Sequence, residues 1–214
     1  MGGPQSVNLE QIQQSFLILK QIKGEFANRG WFPATSGNLS LRIGDAIAIT
    51  ASGKDKTQDT PEDFLLVDLQ GNPAFPTQLK PSAETLIHTA IYEKFPHVSA
   101  VFHVHTLENN LISSLYFKET RFKATGHELI KALGKWEEGA EVILPIVENH
   151  HHIPTLAAAV KEEIQGETPG VLIHNHGIYV WGDHAFAAKR HLEAFEFLFA
   201  YEILQKRFIE KGRD

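Results

Sequence analysis

Residues 98–106 read V-S-A-V-F-H-V-H-T, and this stretch decides how the whole chain is interpreted. A short apolar run lies between a proline and a polar segment, which predicts one buried strand. His103 and His105 stand at the end of that strand. Because side chains two residues apart on a strand point to the same face, the two imidazoles leave the strand side by side. They are therefore candidates for two ligands of one metal ion.

The spacing of these two histidines is not specific by itself. The chain has 12 histidines in 214 residues, and chance alone supplies about 0.7 His-x-His pairs in such a chain. Two further pairs are present. His150 and His152 lie in a polar connection, which is typical of a solvated loop. His174 and His176 stand at the end of another predicted strand, before Gly177, so one of these two can supply a third ligand.

The composition narrows both the class of function and the kind of metal ligand. The net charge of −6 argues against a nucleic-acid or anionic-membrane partner, and no apolar run approaches the ~18 residues of a membrane span. The chain has no cysteine, so any transition metal must be bound by imidazoles or carboxylates. We expect one domain over residues 1–214, with a flexible tail at residues 1–7 and a cytoplasmic location.

The order of helix and strand patterns predicts an α/β domain. Apolar residues at steps of three and four predict a helix over residues 8–29, which opens with a capping box of Asn8 and Gln11. Strands at 39–43 and 46–50 flank Gly44-Asp45, a two-residue hairpin turn, so the sheet is at least partly antiparallel, with helices covering it. The other predicted helices are 82–94, 107–117, 126–133, 153–164 and a last one from a cap at Asp183 to Arg207, and the other predicted strands are 64–69, 141–147, 171–174 and 178–181.

Two short segments are predicted to bind an anion. T-S-G-N at 35–38 and T-A-S-G-K at 50–54 combine hydroxyl groups, a glycine and free backbone amides, which is typical of phosphate-binding concavities, although ordinary turns have the same composition. Neither segment has the spacing of a nucleotide-binding loop. K-P-S at 80–82, at a predicted helix start, adds a cation and further amides.

Two carboxylates are candidates for proton transfer. Glu84 is predicted in the first turn of the helix that starts at Ser82, where a glutamate also complements the helix dipole. Glu128 follows Gly126 and His127, and a plain surface glutamate is the alternative there. The residues alone leave both alternatives open.

Five motifs in this order resemble the class II aldolase and adducin-head family. They are T-S-G-N at 35–38, T-A-S-G-K at 50–54, K-P-S-A-E-T at 80–85, H-V-H-T at 103–106 and N-H-G at 175–177. Five ordered motifs are far more specific than any one of them, and the match extends from about residue 9 to residue 204. The resemblance implies a central, mainly antiparallel sheet with helices on both faces, assembled as a homotetramer.

The resemblance also implies a zinc site and a phosphate site. The family's third zinc ligand directly precedes a glycine, so the implied ligands are His103, His105 and His176, with one zinc ion per subunit. The residues that match the phosphate site, with their immediate neighbours, are Ser36, Gly37, Asn38, Ser52, Gly53, Lys54 and Ser82. The implied partner is therefore a small phosphorylated ketose.

The segments at 122–128, 142–149 and 176–182 resemble the dehydratases of the family, which implies a lyase that removes water. Glu128 matches the proposed acid or base of those dehydratases, and Glu84 matches the catalytic glutamate of the fuculose-phosphate aldolases. We expect Glu128 to protonate the departing hydroxyl group. Which group takes the proton from the substrate is left open, and Glu84 is one candidate. The alternatives are an aldolase or a 4-epimerase on the same scaffold, and a non-catalytic module of the adducin type, which lacks the zinc ligands.

Overall fold

A computed structural model describes the backbone of residues 7–211 and the side chains of residues 7–209. In this part of the chain the strands are β1 (Asn38–Ile43), β2 (Ala46–Thr50), β3 (Phe64–Asp68), β4 (Ala100–Val104), β5 (Arg121–Thr125), β6 (Glu141–Val147), β7 (Gly170–Ile173) and β8 (Gly177–Gly182). They form one eight-stranded sheet in the order β3-β2-β1-β4-β8-β7-β6-β5. Neighbouring strands are antiparallel except β6 and β7, which are parallel.

Helices cover both faces of this sheet. Within the described residues the α-helices are α1 (Leu9–Asn28), α2 (Thr85–Lys94), α3 (Leu107–Leu115), α4 (Ile153–Glu163) and α5 (Ala185–Lys211), and short 3-10 helices lie at Pro33–Thr35 and Glu128–Leu133. One apolar core lies between the sheet and α1, α3 and α5, and a second lies between the sheet and α2 and α4. The predicted α/β fold, a mainly antiparallel sheet with helices on both faces, is confirmed.

Local sequence signals account for the first part of the chain. The Asn8 side chain accepts a hydrogen bond from the backbone of α1 and the Gln11 side chain caps in return, as the sequence predicted. Leu19, Ile22 and Phe26 form the buried stripe of this helix. The turn between β1 and β2 is the predicted pair of residues, with Gly44 in the left-handed region at φ 57°.

The starts of α2 and α5 differ from the predicted ones, and the helix predicted at 126–133 is the 3-10 helix Glu128–Leu133. The segment around Ser82 stays extended because it pairs with the 50–52 loop, so α2 begins only at Thr85 and Glu84 is its N-cap residue. The Asp183 cap is wrong, since the Ala187 N–H donates to Nδ1 of His184 at 3.1 Å. The predicted tail at residues 1–7 lies outside the described residues apart from Val7, which packs against the core.

The loop after β2 is joined to α1 by a buried ion pair. Lys23 and Asp63 are 2% and 3% exposed, and the Lys23 Nζ lies 2.5 Å from Oδ2 of Asp63. Truncating one partner of such a pair leaves a buried charge without compensation, so the pair specifies where this loop lies. Over residues 7–211, the structure contains no helix with the length and apolar character needed to cross a membrane.

Candidate metal and acid–base site

Three imidazoles converge at the end of the two central strands, where β4 ends and β8 begins. The ring nitrogens that His103, His105 and His176 can offer to a metal all lie within 4.8 Å of one another. The Nε2 atoms of His103 and His105 are 2.8 Å apart. The backbone N–H of His105 donates to the Trp31 carbonyl at 3.1 Å, which fixes the residue just beyond the strand.

The protonation of these rings suits a divalent cation. Nδ1 of His103 lies 3.0 Å from the Ile178 carbonyl, so it carries the proton and the Nε2 lone pair faces the other imidazoles. Burial lowers the pKa of His103 well below its ordinary value and lowers that of His105 to about 4, so both rings are neutral at neutral pH. Nδ1 of His176 is buried without a hydrogen-bond partner among the described residues. Close, neutral nitrogen donors of this kind fit a divalent metal.

The structure separates His176 from the other candidate for the third ligand. The ring of His174 stacks on Phe117 with centroids 3.7 Å apart, and His174 is not one of the three residues whose ligand nitrogens lie within 4.8 Å of one another. Gly177 is required beside His176, because a Cβ there would lie 2.5 Å from the Val104 carbonyl oxygen and 2.8 Å from the His103 ring.

Glu84 places a carboxylate directly against this cluster. Its Oε1 lies 2.9 Å from Nε2 of His176, and its Oε2 lies 3.4 Å from Nε2 of His103. Oε2 also accepts a hydrogen bond of 2.7 Å from Nδ2 of Asn38. Burial opposes ionisation of the Glu84 side chain, but the hydrogen bonds from His176 and Asn38 hold its pKa well below the ordinary value. The site therefore contains an ionised carboxylate beside three imidazoles.

Two of the predicted anion-binding segments, 50–54 and 80–82, pair with each other. The Ser52 N–H donates to the Lys80 carbonyl, and the Ser82 N–H donates to the Thr50 carbonyl. In the other loop Gly37 has φ 74°, and a Cβ at this position would clash with the Phe32 ring and the His103 carbonyl. Oγ of Ser36 is buried and has no hydrogen-bond partner among the described residues. The Asn38 side chain is occupied by Glu84 and His88, so it is not free to bind a ligand.

A buried lysine beside these loops was passed over by the sequence reasoning. Lys54 is partly exposed and pairs with Glu62 at 2.5 Å. Lys56 is 6% exposed, and its Nζ donates to the Thr35 carbonyl at 2.6 Å. Burial lowers the pKa of Lys56, and the negative charge of Glu84 opposes this shift.

Glu128 lies far from the metal cluster of its own chain. Its side chain is 82% exposed and pairs with Lys131. β5 runs antiparallel to β6 and parallel to β8, so it starts at the end of the sheet where the three histidines lie. Glu128 therefore follows the opposite end of β5. Four strand spacings also separate β5 from β4, which is about 19 Å across the sheet. Glu128 therefore cannot reach the metal cluster within one chain.

Glu196 is a buried carboxylate behind the cluster that the sequence analysis missed. Its Oε2 accepts a hydrogen bond of 2.7 Å from Oγ1 of Thr106, and its Oε1 accepts one of 2.9 Å from Nδ2 of Asn109. Thr106 directly follows His105 and caps α3 together with Asn109. A glutamate within the apolar stripe of Leu192, Phe195 and Phe199 is the signal that could have revealed it.

The fold and the site define the protein family. The class II aldolase and adducin N-terminal domain family matches residues 19–203, and the chain belongs to it. Among curated relatives, the methylthioribulose-1-phosphate dehydratase of Bacillus subtilis (strain 168) is 54% identical over 198 residues, covering 91% of this chain and 94% of the relative. The dehydratase of the same name from Bacillus cytotoxicus is 51% identical over 198 residues, covering 91% and 92%.

Solved structures of low sequence identity share the fold. The L-fuculose-1-phosphate aldolase of Thermus thermophilus superposes with a TM-score of 0.73 at 22% identity, covering 94% of this chain and 98% of the other. YgbL of Klebsiella pneumoniae, described as a putative aldolase/epimerase/decarboxylase, superposes with a TM-score of 0.76 at 22% identity, covering 89% and 88%.

The buried position of Glu196 predicts a pH-dependent stability. Burial raises the pKa of Glu196 from the ordinary 4.5 to about 7, against the hydrogen bonds from Thr106 and Asn109. The folded-state pKa of Glu196 lies above its unfolded-state pKa. The contribution of this side chain to the free energy of unfolding is therefore fully present below pH 4.5 and is lost as the pH rises through 7. Glu196→Gln cannot ionise, so its free energy of unfolding relative to wild type should rise by on the order of 2 kcal/mol between about pH 5 and pH 8.

Urea denaturation of both proteins at the two pH values measures this difference. A difference in unfolding free energy that stays constant between the two pH values would contradict the assignment.

Proposed function

We propose that the chain catalyses the dehydration of 5-methylthioribulose 1-phosphate to 2,3-diketo-5-methylthiopentyl 1-phosphate, a step of methionine salvage. The observation that carries the proposal is the ionised carboxylate of Glu84 against three converging imidazoles, in a chain more than half identical to the dehydratase of Bacillus subtilis over 91% of its length. The cytoplasmic location stays a prediction.

We infer that the bound ion is zinc, because the three ligands are imidazoles, and when bound it supplies Lewis acidity at a carbonyl oxygen. The reaction removes a proton from C3 and a hydroxyl group from C4. Glu84 is the base for C3, since its ionised carboxylate lies at the cluster. Glu128 is the acid that protonates the departing C4 hydroxyl, which leaves as water. The resulting enol then rearranges to the diketone.

The substrate phosphate fits the two anion-binding loops. Ser36, Gly37, Ser52, Gly53 and Ser82 remain our proposed ligands, and the backbone of Asn38 belongs to the same loop.

Two observations favour Lys56 over Lys54 as the cation of this site. Lys56 is buried without a carboxylate in ion-pair contact among the described residues, and a buried charge without a counterion is costly. Lys54 is already paired with Glu62 near the surface. A phosphate bound between the two loops would be the missing counterion of Lys56.

Glu128 acts on the metal site of a neighbouring subunit. It follows His127, whose ring lies 4.2 Å from that of Tyr201 on α5. Along α5 the exposed apolar residues Phe197, Tyr201, Leu204 and Phe208 recur at steps of four, three and four, which is the pattern of a helix–helix contact. A second copy of the chain that packs on this strip would meet Glu128. We propose the homotetramer that the family resemblance implies.

Activity assays test the proposed reaction. Purified wild-type protein should convert methylthioribulose 1-phosphate into the diketone, retain about one zinc ion per chain, and lose activity when a chelator removes the metal. Parallel incubations with fuculose 1-phosphate and ribulose 5-phosphate test the alternatives. Cleavage to an aldehyde and dihydroxyacetone phosphate would instead indicate an aldolase, and interconversion of pentulose phosphates would indicate an epimerase.

Two lysine variants test the phosphate site. Lys56→Met replaces the buried lysine by an uncharged side chain of nearly the same size. KM should therefore rise by roughly 30-fold, the value of one charge-assisted hydrogen bond. Lys54→Met removes only a surface ion pair and should change KM by less than about threefold. Steady-state kinetics measure both variants, and the reverse ranking would return the role to Lys54.

Mixed oligomers test whether Glu128 acts between subunits. Glu84→Gln and Glu128→Gln should each be inactive alone while retaining zinc. In co-expressed mixed oligomers, a Glu128→Gln chain keeps its own Glu84 and receives Glu128 from its neighbour, so activity should reappear. Light scattering should give four times the chain mass of 24.0 kDa. Mixed oligomers without recovered activity would mean that Glu128 does not act between subunits.

A further inference from the structure

A chain of buried hydrogen bonds runs from the second core to Glu84. Nδ2 of Asn38 donates to Glu84, and Oδ1 of Asn38 contacts Nε2 of His88. Nδ1 of His88 lies 2.7 Å from Oγ of Ser40, which lies 2.8 Å from the hydroxyl of Tyr92. His88, Ser40 and Tyr92 are at most 1% exposed, and Asn38 is 3% exposed.

The direction of every hydrogen bond in this chain follows from its last member. Asn38 presents its N–H₂ group to Oε2 of Glu84, an acceptor, which leaves its carbonyl oxygen for His88. Nε2 of His88 must then carry a proton. Burial lowers the pKa of His88 to about 3, so the ring is neutral and its Nδ1 accepts from Ser40. Tyr92 in turn donates to Ser40. All donors therefore point toward Glu84.

We propose that His88 is a positioning residue that locks the Asn38 amide in the orientation that holds the Glu84 carboxylate against the metal cluster. The effect of this fixed Asn38 orientation on catalysis rests on the proposed function. Without the Nε2–H donor, the Asn38 amide can turn its oxygen toward Glu84, and two acceptors would then face each other in a buried site.

This series of hydrogen bonds positions Glu84 and does not conduct protons to it. An amide cannot pass a proton from its oxygen to its nitrogen in the way that water or an imidazole relays one, so Asn38 interrupts any such path. The His88 ring is itself held by its surroundings, since it packs edge-on against Tyr179 at 5.6 Å. Linked donors in a buried chain polarise and strengthen one another.

Two substitutions at position 88 separate its two hydrogen bonds. In His88→Gln the longer amide can place its N–H₂ group near the former Nε2 and still donate to Asn38. In His88→Asn the shorter amide can reach Ser40 only. A merely structural role would make the two variants similarly impaired, because both replace a buried ring by an amide.

The expected kinetic result is a split between these variants. His88→Asn should lower kcat by about 100-fold, the cost of a misplaced reacting group, with KM and zinc content nearly unchanged. His88→Gln should retain kcat within about fivefold of wild type. Ile91→Val is the matched control, because it removes one methylene from a fully buried residue on the same helix and lowers only the melting temperature.

Equal kcat values for His88→Gln and His88→Asn would overturn the proposal. A loss of kcat in Ile91→Val as large as that in His88→Asn would overturn it as well. Wild-type protein that forms no diketone would instead refute the proposed function. In that case the lock is tested without activity, by ¹⁵N–¹H correlation of the histidine rings in the metal-free protein. His88 should carry its proton on Nε2, and Asn38→Ala should shift that resonance. A proton on Nδ1 would overturn the proposal.

Discussion

Three neighbouring strands bring Asn38, His103 and Tyr179 into one line across the sheet, since Asn38 pairs with His103 and His103 pairs with Tyr179. Directly opposed residues present their side chains to the same face, so the imidazole stacks on the Tyr179 ring at 3.9 Å while Asn38 reaches Glu84. A slip of one residue in either pairing would turn these side chains to the other face and separate the metal ligands from the carboxylate. The site therefore depends on the register of β1, β4 and β8.

Two largely buried charged side chains in this region, Glu84 and Lys56, lack full compensation from the part of the chain that the structure describes. Glu84 is ionised and mostly buried, and Lys56 is a buried cation with no carboxylate in ion-pair contact among the described residues. Hydrogen bonds from Asn38 and the imidazoles compensate Glu84 only in part, and a divalent cation at the three histidines would complete that compensation. A substrate phosphate would do the same for Lys56. In the proposed reaction the metal ion would compensate Glu84, and the phosphate of the bound ketose would compensate Lys56.

The acid role proposed for Glu128 would require two subunits to associate. The residue that matches the acid of the dehydratases follows the end of β5 that lies opposite to the three histidines, so only a second chain can bring it to a metal site. The exposed apolar strip on α5 borders the same segment. Catalysis and the burial of this strip would therefore be achieved by the same association of subunits.

The amino-acid sequence by itself determined the features that depend on near neighbours in the chain. The capping box of α1, the hairpin at Gly44 and the shared face of His103 and His105 follow from local geometry. The ordered family motifs added His176. Glu84, His88 and Tyr92 recur at steps of four on one side of α2 and its cap, a pattern visible in the sequence, but their partners on β1 are not.

Only the tertiary structure decided that Lys56 rather than Lys54 is buried beside the site, that the Asn38 side chain binds Glu84, and that Glu128 lies beyond reach in its own chain. Each of these facts depends on contacts between residues that are distant in sequence, which strand order and register bring together or keep apart.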